Sequence, residues 1–184
     1  MTEPTIRLDA VPTDRLTEED LRALRALFDA AWSGDEAFDD DDWAHTMGGM
    51  HFVVRARDGD VLSHASVVER TLETAGLWLR TGYVEGVATL AKHRGAGLAS
   101  RAMRAVGSFI DGRYELGALG TGLFAFYERL GWERWLGPTS VRTQRGLLPT
   151  PDEDGSVMVR RTPTTPVLDL DAPLACDWRS GDVW

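Results

Sequence analysis

The stretch from Leu77 to Ile110, LWLRTGYVEGVATLAKHRGAGLASRAMRAVGSFI, constrains the fold more than any other part of this sequence. Its first part, Leu77 to Leu90, has the composition of a long strand, and Gly86 interrupts it, which signals a bulge or a close backbone approach. Its last part sets Leu98, Ala102, Met103, Val106 and Ile110 at helical spacing. Between them lies Arg94-Gly95-Ala96-Gly97, so a strand runs through a glycine turn into a helix. A chain carrying that unit has to mix sheet with helix. The turn's amides fall among the unpaired donors of a helix N-terminus, which attract anions, and Lys92, His93 or Arg94 can add positive charge. It is neither a Walker A loop nor a dinucleotide GxGxxG fingerprint, because Gly97 is followed by Leu98-Ala99-Ser100. A glycine turn ahead of a helix also occurs as a purely structural joint.

Around this unit the pattern alternates between helix and strand. Leu21, Leu24, Leu27, Phe28 and Ala31 predict an amphipathic helix, with Thr17 and Asp20 in capping-box spacing. Six carboxylates follow between Asp35 and Asp42, then a second short helix stopped by Gly48 and Gly49. The solvated-face reading holds for Asp39, Asp40 and Asp41, since acidic runs repel one another into water. His51 to Arg57 and Val61 to Arg70 flank Asp58-Gly59 and predict a hairpin. Tyr114 to Leu119 reads as a short strand, Thr121 to Leu130 as a helix and Trp132 to Val141 as extended. The tail from Leu147 is rich in Pro, Asp and Thr, with one strand at Ser156 to Arg160, and it closes on CDWRSGDVW. Two tryptophans and two aspartates in nine residues do not resemble a discarded linker.

At roughly 150 residues per domain, 184 residues suit one globular domain, or one domain with a short appendage. Twenty basic against twenty-nine acidic side chains give a formal charge of −9, which argues against nucleic acid or an anionic membrane as main partner and favours a cationic ligand. Lys92 is the only lysine beside nineteen arginines. Cys176 is the only cysteine, so no internal disulfide forms, and neither a signal peptide nor a membrane span is readable; the expectation is a soluble, cytoplasmic protein. The four histidines lack zinc spacing, and no metal is expected.

The glycine-bearing strand, the KHRGAGLA turn, the helix after it and the FYERLGW run from Phe126 to Trp132 together resemble the GCN5-related N-acetyltransferase (GNAT) family. That family's turn reads (Q/R)xxGx(G/A); here Lys92 takes the first slot, and Gly95 and Gly97 match. Further segments resemble one branch, the aminoglycoside 2′-N-acetyltransferases: SGD at Ser33, DWAHTMGGMH at Asp42, GYVEGVA at Gly82, YELGAL at Tyr114, GPTSV at Gly137, TPDEDG at Thr150, and the closing CDWRSGDVW. They lie in order over nearly the whole chain.

The resemblance implies an α/β (α+β) GNAT fold over residues 1–184, with a mostly antiparallel splayed central sheet flanked by helices and a tail, about 147–184, completing the substrate site. It implies acetyl-CoA as cofactor, bound by Val87, Ala88, Thr89, Lys92, Arg94, Gly95, Ala96, Gly97, Leu98 and Ala99. The Val87 amide would face the acetyl carbonyl, Glu85 would be the base, through a water, and Tyr127 the acid toward the thiolate. A free glutamate titrates near 4.3 and a phenol near 10, so the first is a poor direct acceptor and the second keeps its proton. The acceptor, a polycationic aminoglycoside with a 2′-amino group, would meet Asp35, Asp42, Glu85, Gly86, Gly120, Glu153, Asp182 and Trp184, whose ring and terminal carboxylate come to one point. Glu153 stands in place of the commoner Asp, and Gly120 where relatives can carry Ser. Relatives suggest a homodimer. Two other readings stay open: a GNAT enzyme for another small amine or a peptide, and a binding protein for acetyl-CoA or aminoglycoside with little turnover.

Overall fold

The computed structural model describes residues 6–32, 34 and 37–184. The expected substrate contact Asp35, like Ser33 and Glu36, lies outside the described residues. Four helices, α1 (Glu18–Ala31), α2 (Asp40–Thr46), α3 (Leu98–Asp111) and α4 (Phe124–Glu128), accompany ten strands among them. The strands are β1 (Arg7–Pro12), β2 (Met50–Arg55), β3 (Val61–Thr74), β4 (Leu77–Thr89), β5 (Leu116–Gly120), β6 (Glu133–Arg134), β7 (Thr139–Thr143), β8 (Gly146–Pro149), β9 (Val157–Arg161) and β10 (Leu174–Asp177). No described helix is long and apolar enough to cross a membrane. The chain forms two compact units, Met1–Val68 with Val84–Val106 and Glu69–Tyr83 with Gly107–Trp184, so β3, β4 and α3 each contribute residues to both.

In the first unit β1, β2 and β3 pair antiparallel, and the register slips by one residue at Val54/Arg55, where the hairpin bulges toward its Asp58-Gly59 turn. The expected capping box starts α1: the Asp20 amide donates to Thr17 Oγ1 at 3.1 Å and the Thr17 amide to Asp20 Oδ2 at 2.9 Å. The apolar face of α1 then buries Leu24, Leu27 and Phe28 against Val53, Val61 and Ala88. Arg55 holds Asp9 at 3.3 Å and also Asp20, tying the hairpin to the start of α1. Asp39 and Asp40 are exposed, in keeping with the solvated-face reading, and each also has a local role. Asp39 caps α2 in a box with Asp42, and Asp40 pairs with Arg25 at 3.2 Å.

In the second unit the strand order is β6-β9-β5-β4-β3-β10-β7-β8, with residues 69–74 of β3 and 77–83 of β4 taking part. The β4–β5 ladder is parallel and short, running Thr81↔Leu116, Gly82↔Gly117 and Tyr83↔Ala118. It has no further rung among the described residues, although β4 continues to Thr89 and β5 to Gly120. β5 continues through antiparallel β9, from which Arg160 reaches Asp111 of α3 with two hydrogen bonds of 2.9 and 2.7 Å. Two expectations need correction here. The extended stretch Trp132 to Val141 is divided into β6 and β7, with Gly137 pressed against the carbonyl of Ala172, where any side chain would collide. The tail contributes β8 and β10 beyond the one strand anticipated; β10 lies between β3, antiparallel, and β7, parallel, with Leu174, Ala175 and Cys176 buried.

Candidate active site

The last residues of β4 carry side-chain hydrogen bonds on their carbonyls. Three side chains of β3, all fully buried, occupy carbonyls of β4: Ser66 Oγ donates to Glu85 O at 3.2 Å, His64 Nδ1 to Gly86 O at 2.7 Å, and Ser63 Oγ to Ala88 O at 2.8 Å. Ser63 has one proton, so the Thr89 hydroxyl, 2.7 Å away, donates to Ser63 Oγ. Gly86 sits at φ +58°, and a Cβ there would lie 2.7 Å from Thr46 Cγ2 and 3.2 Å from Phe28 Cζ. Only glycine fits that backbone and that space. Glu85, Gly86 and Val87 are half-buried, with Ala88 below the surface behind them.

Beyond β4 a single helical turn, Ala91–His93, leads through Arg94 into the glycine turn, and Arg94 Nε reaches back to the Thr89 carbonyl at 3.4 Å. Gly95 and Gly97 take φ +79° and +77°, with open space where their side chains would be. The Gly97 carbonyl accepts the first helical bond of α3, from Arg101 at 3.0 Å. Lys92, Arg94, Gly95, Ala96 and Gly97 are exposed, while Leu98 is buried and anchors the helix start. An accessible helix N-terminus flanked by two cations is suited to a di-anionic phosphate group. In the same unit Asp42 is half-buried, and its Oδ2 accepts the Asp39 amide at 3.0 Å.

The second unit gathers the tail. Trp184 is buried, and its indole N–H donates to Thr150 Oγ1 at 2.9 Å. Its backbone N–H donates to Asp182 Oδ1 at 3.2 Å, and Arg179 donates to its carbonyl oxygen at 3.2 Å and to that of Asp182 at 2.7 Å. Arg70 lies over the Tyr83 ring, 4.7 Å from its centroid, and donates to the carbonyls of Asp177 and Val183 at 2.9 and 2.8 Å. Gly120 belongs to the same neighbourhood: a Cβ on it would stand 3.7 Å from the Trp184 carbonyl carbon. Burial raises the Glu153 carboxyl above its ordinary range, and the negative charges of Asp182 and Asp152 push it the same way.

Tyr127 is buried on α4 beside Trp132, the rings 6.3 Å apart, and burial pushes its phenol up to about 12. Sequence reasoning named the tail residues but not their holders. Arg70, Tyr83 and Thr150 stand far from CDWRSGDVW along the chain, and Arg179 within it carries no motif of its own. The buried His51 and His64 were also missed, since no ligand spacing marks them.

Residues 13–135 match the Acetyltransferase (GNAT) domain family. An aminoglycoside 2′-N-acetyltransferase of Mycolicibacterium fortuitum is 41% identical over 178 residues, covering 95% of this chain and 90% of that protein. Among solved structures, the GNAT family N-acetyltransferase YhbS of Escherichia coli, in complex with CoA, superposes with a TM-score of 0.63 at 17% identity over 97% of this chain and 93% of its own. A GCN5-related N-acetyltransferase of Kribbella flavida gives 0.58 at 23% identity over 73% of this chain, a span of 34% of that longer protein.

Proposed function

This chain belongs to the GNAT acetyltransferase family, and from that premise we propose that it transfers acetyl from acetyl-CoA directly to the 2′-amino group of aminoglycosides, with no covalent enzyme intermediate. The observation that carries the reading is the 41% identity to the Mycolicibacterium enzyme across 95% of the chain. Capping one ammonium of such a drug removes a positive charge from its grip on ribosomal RNA phosphates, and resistance follows.

Acetyl-CoA supplies the activated acetyl group. The donors present fit it: the amides of Gly95 to Ala99 open α3 toward a pyrophosphate, Lys92 and Arg94 add charge, and the edge of β4 from Val87 through Ala88 to Thr89 is offered to a pantetheine arm. Val87 N–H stabilises charge on the carbonyl oxygen. Glu85 takes the proton released by the attacking amine, through a water. Tyr127 keeps its proton throughout, because a phenol held at about 12 is a weaker acid than a thiol near 8.5. Its O–H would donate a hydrogen bond to the leaving thiolate, which would take its proton from water.

On the acceptor side, Glu153, Asp182, Asp42 and Trp184, with Asp35 and the small Gly120, form the proposed contacts. The raised Glu153 carboxyl supports this, since crowded carboxylates are relieved by an incoming ammonium. The net charge of −9 likewise suits a cationic acceptor and not a nucleic acid. We also read the protein as a single acetyltransferase domain acting as a cytoplasmic homodimer. Exposed Leu147 and Leu148 on the outermost strand, β8, support the pairing.

Thiol release measured in parallel with 2′-amino and 2′-hydroxy aminoglycosides tests the function. Turnover is expected with the first set alone. Equal, slow rates with every drug point to another acceptor, and binding without thiol release points to a binding protein.

A further inference from the structure

Thr13, at the half-buried end, and the buried His51 and His64 form a file that ends on the carbonyl oxygen of Gly86, and what each atom can do fixes the direction of every bond in it. The Gly86 oxygen can only accept, so His64 Nδ1, 2.7 Å away, carries a proton and donates. Burial, with the neighbouring His51 adding to it, pushes the protonation of His64 down to about 3, so the ring is neutral and its Nε2 is a lone pair. His51 Nδ1, at 2.9 Å, therefore donates to that lone pair. Burial pushes His51 down to about 4, leaving its Nε2 to accept from the Thr13 hydroxyl at 2.8 Å. The same hydroxyl also lies 3.2 Å from the Gly49 carbonyl, a longer and weaker alternative. Thr13 Oγ1 in turn accepts the amides of Gly48 and Gly49 at 2.9 and 3.1 Å.

The far end of the file is a peptide group. Gly86 C=O and Val87 N–H belong to one planar trans unit and point in opposite directions. Holding the oxygen on His64 aims the Val87 N–H away from the histidines. Donors aligned head to tail also polarise one another, so the file strengthens that N–H as a donor. One ring is enough to satisfy the Gly86 oxygen; the second ring and the hydroxyl each satisfy the ring nitrogen behind them and add direction and polarisation.

We infer that Thr13, His51 and His64 are positioning residues that lock and polarise the Gly86–Val87 peptide, so that its N–H is already aimed when charge develops on the acetyl carbonyl. The inference rests on the acetyl-transfer reading of the same stretch.

The test begins on the whole protein without substrate, labelled with ¹⁵N at histidine and valine. Both rings should appear as Nδ1–H tautomers near neutral pH, and the Val87 amide proton should resonate at unusually low field. His64→Leu fills the space without a donor, whereas His64→Asn keeps an N–H at the Nδ1 position. In His64→Leu the Val87 resonance should move upfield and kcat should fall about 10- to 100-fold, with both KM values within about twofold. His64→Asn should restore most of both. An Nε2–H tautomer at His64, an unmoved Val87 resonance in folded His64→Leu, or equal kcat losses in the Leu and Asn variants would overturn the inference. If His64→Leu does not fold, the wild-type tautomers and His51→Leu decide: that variant keeps the bond to Gly86 but should still shift the Val87 resonance, and no shift overturns the relay. The spectra need no turnover, so an inactive wild type would refute the acetyl-transfer reading while the relay is scored separately.

Discussion

The indole N–H of Trp184 donates to the hydroxyl of Thr150 across 2.9 Å, and that hydroxyl in turn donates to Thr139 Oγ1 at 2.8 Å. The tail is thereby fastened to β7 through side chains and not only through its β10 ladder. Thr150→Val keeps the shape and removes the acceptor, leaving a buried indole N–H without its partner at a cost of about 1–2 kcal/mol. We expect the aminoglycoside KM to rise about fivefold while that for acetyl-CoA stays put. Steady-state kinetics with each substrate varied would check it, and equal KM values for wild type and variant would free Trp184 from any role at the acceptor.

Gly86→Ala should be severe for its size. The new methyl must adopt φ +58° and meets Thr46 Cγ2 at 2.7 Å. Strain and overpacking each cost about 1–3 kcal/mol. For a chain of this length each kcal/mol lowers Tm by about 2–4 °C, so a drop of roughly 5–15 °C is expected by calorimetry, with kcat reduced further because the peptide cannot keep its orientation.

Acid should unfold the protein through its histidine pair. Unfolded imidazoles titrate near 6.5, whereas burial holds His51 at about 4 and His64 at about 3 in the folded state. Between those values the unfolded chain binds more protons, so stability is complete above about pH 6.5 and declines as pH falls toward 3. The loss is on the order of 3–5 kcal/mol per ring at the acid end. Urea titrations at pH 7 and pH 4.5 measure it directly, and a His51→Asn variant should flatten the dependence. A pH-independent midpoint over that interval would contradict the assignment of neutral rings.

Glu85→Gln and Tyr127→Phe separate the proton acceptor from the hydrogen-bond donor. Loss of a general base acting through water should lower kcat/KM about 100-fold. Rate should then be recovered in part at higher pH, where the amine arrives already deprotonated. Removing the phenolic O–H should lower kcat about tenfold with no such recovery. Full pH–rate profiles distinguish the pair, and wild-type profiles for both variants would withdraw these roles.

Periodicity made α1, the β2–β3 hairpin and the β4–turn–α3 unit readable, because each is held by contacts close in sequence. Helix α4 is shorter than its pattern: the Thr121 hydroxyl accepts the Leu123 amide at 2.9 Å and delays the first turn to Phe124. β10 was not readable. It is four residues long, surrounded by Pro and Asp, and its partner β3 lies about a hundred residues earlier.

The candidate site divides in the same way. Its glycines announce themselves, because left-handed backbone leaves few alternatives to Gly86, Gly95 and Gly97. The side chains that hold it do not. The one trace of the histidine file was Ser63, His64 and Ser66 inside the otherwise apolar first part of β3, Val61 to Val68, a pattern that makes sense only once those groups are seen bonded to the carbonyls of Glu85, Gly86 and Ala88. Polar residues in a buried strand name a need for partners without naming the partners.

Strand β10 sits between β3 and β7, although a ribosome releases both of those well ahead of it. Until Leu174 to Asp177 emerge, the β7–β8 hairpin has no strand to join it to β3. Assembly of this half is therefore a late closure, and the half-finished intermediate exposes two sheet edges for chaperones, or for neighbouring copies, to seize.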